Sequence, residues 1–229
     1  MPVSIEASDL LSGIGYAHLQ IREANSGQSA STGLFWGYND IGTGTSTDPF
    51  KNHFTLSEYA ASGDWSLTDI WLYDKAGNSI SFYNSELSAF LIASGSNGTV
   101  VISNPNEDVS DPDPQAIRLI TSTTDDATGR ALITLELEID EQNAGFSHGW
   151  VYLDKTGGGG SFKTYIEQSN LISGTLHGSS GIYRISALAP EGYSDGDWEI
   201  SWFELWDQAG NHISRSEEHT SELQSQFRI

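Results

Sequence analysis

From Ile133 to Ile139 apolar and polar residues alternate without a break: Ile133, Leu135, Leu137 and Ile139 fall on one side, Thr134, Glu136 and Glu138 on the other. A period of two marks a β-strand with one buried and one solvated face. Shorter runs rich in aromatic and β-branched residues recur at 16–22, 34–38, 54–56, 79–83, 116–120, 148–153 and 183–185. Segments rich in Gly, Asn and Asp, such as Asn25-Ser26-Gly27 and the glycine run at 157–160, separate them. No long stretch repeats apolar residues at helical spacing. The pattern predicts an all-β protein of short antiparallel strands.

The strand over 64–74 carries the most information. Trp65 and Leu67 share one face, but Ile70 and Leu72 are out of phase with them by one residue. The same slip returns where Trp198 and Ile200 are followed by Phe203 and Leu205. An extra residue that keeps apolar side chains inward on both sides of the slip is a β-bulge, expected near Thr68 and Asp69 and near Ser201 and Trp202. These eight apolar residues are the expected core. Each strand then enters an Asp-x-Ala-Gly-Asn turn, Asp74 to Asn78 and Asp207 to Asn211, where Gly and Asn tolerate positive φ and the Asp side chain can cap the hairpin.

Gly63 and Gly196 open these two strands 133 residues apart, and Gly13 to Ile21 matches Gly145 to Leu153 at a spacing of 132. Periods this long mark two copies of a domain. The expected modules are residues 1–104 and 105–214, the second starting with an acidic, proline-rich connector that ends at Asp111-Pro112-Asp113-Pro114. Within the copies, Phe54-Thr55-Leu56 is expected to correspond to Tyr183-Arg184-Ile185. Copy two has strands at 116–120 and 133–139 before its Asn-Gly turn, whereas copy one offers only residues 3–7 there, so Met1 reads as an internal start and the first module is expected to lack its N-terminal strand. Residues 215–229 break off the repeat and resemble one reading frame of a sequencing-adapter oligonucleotide. They are expected to be non-native, leaving the second module without its C-terminal strand.

The Asp/Asn-Gly starts (Asp9 to Gly13, Asn143 to Gly145), the Gly-x-Trp strands and the Asp-x-Ala-Gly-Asn turns resemble those of the bacterial immunoglobulin-like modules found in tandem in large exported proteins. The resemblance covers residues 3–214. It implies two antiparallel β-sandwiches acting as spacer, stalk or adhesive surface, at an extracellular or cell-surface location, with neighbouring domains of a longer polypeptide as partners. It implies fold more than activity.

Charge and chemistry narrow this picture. With 31 acidic residues against 10 basic, the chain carries a formal net charge of -21, which repels nucleic acid and anionic membrane surfaces. No apolar run approaches the roughly 18 residues that suggest a membrane span, so membrane insertion is not expected, and residues 1–7 lack the basic and apolar regions of a signal peptide. The absence of cysteine excludes disulfides and thiolate metal sites. The six histidines show no zinc-ligand spacing, and no Gly-x-Ser-x-Gly elbow occurs, so no catalytic residues and no enzyme activity are expected.

Two binding chemistries remain. Asp9, Asp74, Asp108, Asp111, Asp113, Asp140 and Asp207, with Glu107 and Glu141 beside them, gather where the loop ends of a tandem sandwich meet. Hard oxygen ligands of this kind suit calcium, the one cofactor the sequence suggests; the competing reading is that the turn aspartates only cap and the connector acids only solvate. Trp71, Trp36 and Trp202, with Tyr38, Trp150 and Trp206, are candidates for outer faces where aromatic rings stack on sugars, which would make a surface glycan or a protein ligand the partner. Trp71 is replaced by Glu204 in the other copy, so the outer aromatics are not expected to be a shared feature.

Overall fold

The computed structural model describes residues 1–7, 11, 13–35, 50–125, 127–176, 178–191, 193 and 198–216. The chain divides into two compact units, the first Met1–Glu107 and the second beginning at Asp108. That division falls slightly beyond Asn104, because the start of the connector is fastened to unit one. Asn104 donates its side-chain amide to the carbonyls of Glu58 (2.9 Å) and Ala60 (2.8 Å) and its backbone N–H to Ser62 Oγ (2.8 Å).

Unit one contains β1 (Pro2–Ile5), β2 (Ile14–Glu23), β3 (Ser29–Phe35), β4 (Phe50–His53), β5 (Gly63–Asp74), β6 (Ser79–Tyr83), α1 (Asn84–Ser94) and β7 (Thr99–Ile102). Its main antiparallel sheet runs β3-β2-β5-β6, β7 pairs with the first residues of β5, and β1 pairs with β4 as a two-stranded sheet. Ala17, Leu19 and Ile21 of β2, Trp65 and Ile70 of β5, Ile5 of β1 and Phe54 are buried together, with Leu67 and Leu72 packed against them. Trp65 donates its indole N–H to the Ala61 carbonyl at 2.9 Å, which satisfies the polar atom of a buried ring.

Helix α1 departs from the sequence reading, which contains no helix. It interrupts the return strand between β6 and β7, buries only Leu87, and stacks Phe90 on Phe82 with ring centres 5.0 Å apart. Gly95, at φ 72°, closes it in the left-handed conformation. Phe90 and Leu91 also pack on the core from the side of Leu87, but the apolar run continues unbroken through the exposed Ile92 and Ala93, so no helical period stands out in the sequence.

Unit two contains β8 (Asp113–Thr124), β9 (Ala131–Glu141), β10 (Phe146–Lys155), β11 (Ser161–Glu167), β12 (Leu171–Gly174), β13 (Gly178–Leu188), β14 (Trp198–Asp207) and β15 (His212–Ser216). Two four-stranded antiparallel sheets, β12-β13-β9-β8 and β11-β10-β14-β15, enclose one core. Ile133, Leu135, Leu137 and Ile139 face it from β9, and Phe203, Leu205, Trp198 and Ile200 from β14. The acidic connector is therefore not a free linker throughout: Asp113 and Pro114 already belong to β8.

Both copies carry the bulge at the same place. Across β2 and β5 the register passes from Gln20 opposite Asp69 to Ile21 opposite Leu67, leaving Thr68 as the extra residue. Across β10 and β14 it passes from Tyr152 opposite Trp202 to Leu153 opposite Ile200, leaving Ser201. Each extra residue turns its hydroxyl to the facing strand, Thr68 to the Gln20 carbonyl at 3.3 Å and Ser201 to the Tyr152 carbonyl at 3.5 Å. The two hairpin turns also agree, with Gly77 and Gly210 both at φ 91°.

Two strand assignments change. The counterpart of Tyr183 is Phe50 rather than Phe54, since Ile5 lies opposite Phe50 as Leu137 lies opposite Tyr183. The return strand of unit two, expected to be cut short after Ser214, runs to Ser216 as β15, pairing residues 212–216 with 202–206. The Asp207 turn brings the chain back against β14, where the strand pairs through Ser216 and Ile213 packs against the core. The rest of the 215–229 segment lies outside the described residues.

Candidate functional site

The sharpest cluster of polar groups lies inside unit two, at the end where the connector enters. Asp108, Glu141 and Asp207 are 1%, 5% and 3% exposed, and one carboxylate oxygen from each lies within 4.8 Å of the others. Three elements deliver them. Asp108 comes from the connector, Glu141 from the last position of β9, and Asp207 from the last position of β14. Glu141 is in phase with Ile133 through Ile139, so the pleat turns it inward, while Asp140 belongs to the other face.

Hydrogen bonds hold each group in place. Asp207 accepts the backbone N–H of Asn211 (2.8 Å) and its side-chain amide (2.7 Å), and that amide also donates to the Asp108 carbonyl at 3.0 Å. Asp108 accepts the N–H groups of Ser110 (3.0 Å) and Ala144 (2.8 Å). Glu141 accepts the N–H of Asn143 at 3.3 Å. Removing carboxylates from water disfavours their charged forms, and neighbouring negative charge adds to the effect. Burial, then the Asp108 charge, raises the Glu141 carboxyl to about 7. Burial also raises Asp207 to about 6, against the opposing hydrogen bonds from Asn211. Tyr183 is pushed up to about 12 by burial and by the Glu141 charge.

The sequence-derived acidic residues separate accordingly. Asp108 and Asp207 meet, and Glu141 joins them in place of Asp140. Asp140 lies opposite Asp113 across β8 and β9, with its Oδ1 buried and without a partner among the described residues. Asp113 is exposed and takes the side-chain amide of Gln115 at 2.6 Å. Asp111 accepts the His212 N–H at 3.2 Å. Asp74 caps the unit-one turn, receiving Asn78 through its N–H (2.8 Å) and its side-chain amide (2.6 Å). Asp9 and Trp36 lie outside the described residues. The signal that singles out Glu141 was present in the alternation of β9: parity, not proximity in sequence, decides which acid faces inward.

Outer-face aromatics occur in both units. In unit two, Trp206 is sandwiched between His148 (5.1 Å, interplanar angle 5°) and His212 (4.9 Å, 22°), and Lys163 lies 4.0 Å over the Trp150 ring. In unit one, His18 meets Trp71 at 5.1 Å and Tyr16 meets Tyr73 at 5.7 Å. Glu204 replaces Trp71, so the pair of His18 with Trp71 has no aromatic counterpart, whereas Tyr16 opposite Tyr73 recurs at the same register as His148 opposite Trp206. Most of these rings contact one another or a lysine, which leaves few open faces for a sugar ring. Trp202 stands opposite Tyr152 on the same sheet.

No family model matches the chain, and no curated protein matches it. Among solved structures, a crystal structure described as a tetra-tandem repeat in the extending region of a large adhesion protein is similar over 92% of this chain, at 14% identity and a TM-score of 0.29. The match occupies 41% of that chain. The strand pairing described above, rather than this loose likeness, establishes the fold.

Proposed function

We propose that the chain is a pair of consecutive immunoglobulin-like modules, non-catalytic, that serve as spacer, stalk or adhesive surface in a larger exported bacterial protein. The observation that carries this reading is the rebuilding of one design in both units: the same bulge, the same Asp-capped turn, and the same pairing of β1 with β4 as of β9 with β13. The sheet orders of unit two, first, second, fifth and sixth strands in one sheet against third, fourth, seventh and eighth in the other, support an immunoglobulin-like arrangement. Single-molecule pulling on the full chain tests the stalk role. Two separate unfolding events are expected, each releasing about 35 nm of chain for a module of roughly 100 residues; a single event, or release without measurable force, would overturn it.

A second reading, that a calcium ion stiffens unit two, is favoured by the buried Asp108, Glu141 and Asp207 trio. Three hard carboxylates fit the donor chemistry of calcium, which takes oxygen ligands at about 2.3 to 2.6 Å. Their charges, costly to bury alone, are those a divalent cation would neutralise. Calorimetric titration of the full chain with calcium should show saturable binding that Asp207→Asn abolishes. No heat and no rise in melting temperature would dispose of the ion.

A further inference from the structure

The sheet β11-β10-β14-β15 gives one face to the core through Val151, Leu153, Phe203 and Leu205 and turns the alternate residues outward. On that outer face Trp150 stands opposite Glu204 and Tyr152 opposite Trp202, so two paired strands present a square of three aromatic rings and one carboxylate, each residue half-buried. In unit one the same four positions hold His18, Trp71, Gln20 and Asp69, so the square is particular to unit two. One cation already rests on it from the neighbouring strand. Lys163 Nζ lies 4.0 Å from the centre of the Trp150 ring and 5.6 Å from that of Tyr152, within reach of cation–π attraction. It does not pair with Glu204, which has no ion pair or hydrogen bond among the described residues. Trp202 meets no other ring among the described residues, whereas Trp206 has both faces covered by His148 and His212. A half-buried carboxylate left unpaired beside tryptophans is costly, and the formal net charge of -21 draws cations toward it.

We propose that Trp202 and Glu204, with Trp150 and Tyr152 beside them, form a recognition site for an arginine side chain of a partner protein. The guanidinium fits both halves of the square: its plane lies flat on an indole ring, and its forked N–H groups donate two parallel hydrogen bonds to one carboxylate. Lys163 occupies the square from the β11 side, which leaves Trp202 and Glu204, two residues apart on β14, to take the incoming group. A neutral sugar ring would draw nothing from the charge of Glu204. The site rests on the adhesive-surface role proposed above and gives that role a chemistry, a basic partner surface with arginine at its centre. Unfolding under force reports on the modules and not on this face, so either result can fail without the other.

The test titrates the full chain with a capped Gly-Arg-Gly-Arg-Gly peptide and reads the tryptophan indole N–H signals by NMR. Trp202 and Trp150 are expected to shift together and saturably, while Trp65 and Trp198, inside the two cores, stay in place. Glu204→Gln, which keeps the shape of the side chain, should weaken binding about tenfold, and Trp202→Ala by a similar factor. Asp64→Asn, which removes the same charge from the surface of unit one, should leave the affinity unchanged. The matching citrulline peptide, uncharged but of the same shape, should not bind. Equal loss in Glu204→Gln and Asp64→Asn would reduce the effect to net charge and overturn the proposal. So would equal binding of the citrulline peptide, or the lack of any saturable Trp202 shift. A Trp202 shift produced by cellotetraose and not by the arginine peptide would assign the face to a sugar instead.

Discussion

The same five-residue turn stands at the end of β5 and of β14, yet the two live in different solvents. In unit one Asp74 is half-buried and Asn78 exposed. In unit two Asp207 and Asn211 are 3% and 5% exposed, because the connector folds over the turn and brings Asp108 against it. The hydrogen bonds within the turns are almost identical, 2.8 and 2.6 Å in the first and 2.8 and 2.7 Å in the second. Local sequence therefore sets the geometry of the turn, while the segment laid across it sets its electrostatics. A capping motif becomes a carboxylate cluster without changing one of its own bonds.

The comparison can be broken most forcefully in the core. Trp198→Ala should destabilise unit two by about 3 to 5 kcal/mol through lost transfer energy and the cavity left behind, measured by denaturant unfolding. Trp65→Ala should do the same to unit one. Replacement by Phe separates them, since Trp65 has an indole hydrogen bond to Ala61 and Trp198 Nε1 has no partner among the described residues. Trp65→Phe should cost about 1 kcal/mol more than Trp198→Phe; equal costs would deny the indole bond any net contribution.

pH should act on unit two in a way that unit one does not share. Glu141 and Asp207 have folded values of about 7 and about 6, above the ordinary 4.5 and 3.8, so the folded unit binds protons that the unfolded chain releases. Their contribution is full below about pH 4 and is lost as pH rises through about 7, a change on the order of 3 kcal/mol for each group. Hydrogen exchange of the unit-two core at pH 5 and pH 8 should show the loss, and Asp207→Asn should flatten it. A unit two that grows more stable as pH rises over this range would contradict the buried, proton-binding trio.

Smaller effects test the turns themselves. Asn211→Ala removes buried hydrogen bonds to Asp207 and to the Asp108 carbonyl and should cost about 2 kcal/mol, against about 0.5 kcal/mol for Asn78→Ala at the exposed turn. Gly77→Ala and Gly210→Ala should each cost about 1 kcal/mol and, unlike the asparagines, by the same amount. Both glycines sit at φ 91° with nothing within 4 Å of an added Cβ, so only backbone conformation is charged. Thermal unfolding of the four variants would show whether burial, and not turn geometry, separates the units.

Much of this architecture was legible beforehand. Alternation from Ile133 to Ile139 located β9 and its buried face, and the phase slip after Leu67 and after Ile200 located the bulges, because a pleat offers no other way to keep both halves of a strand facing inward. The same parity rule, carried two residues further, points to Glu141. What escaped was either non-local or weakly patterned. Helix α1 turns Leu87, Phe90 and Leu91 to the core but carries the exposed Ile92 in the same apolar run, and the match of Phe50 to Tyr183 follows from cross-strand register rather than from any likeness of neighbouring residues.

The sequence by itself determined the period of two, the duplicated strand and turn, and the inward side of each strand, since these depend on backbone geometry and on neighbours a few residues away. Only the tertiary structure decided that Asp108, more than thirty residues from Glu141 and nearly a hundred from Asp207, would be buried against both. It also decided that Asp74, in the same motif as Asp207, would meet water instead. Burial and charge coupling are properties of the space around a group, and that space is filled by chain remote in sequence.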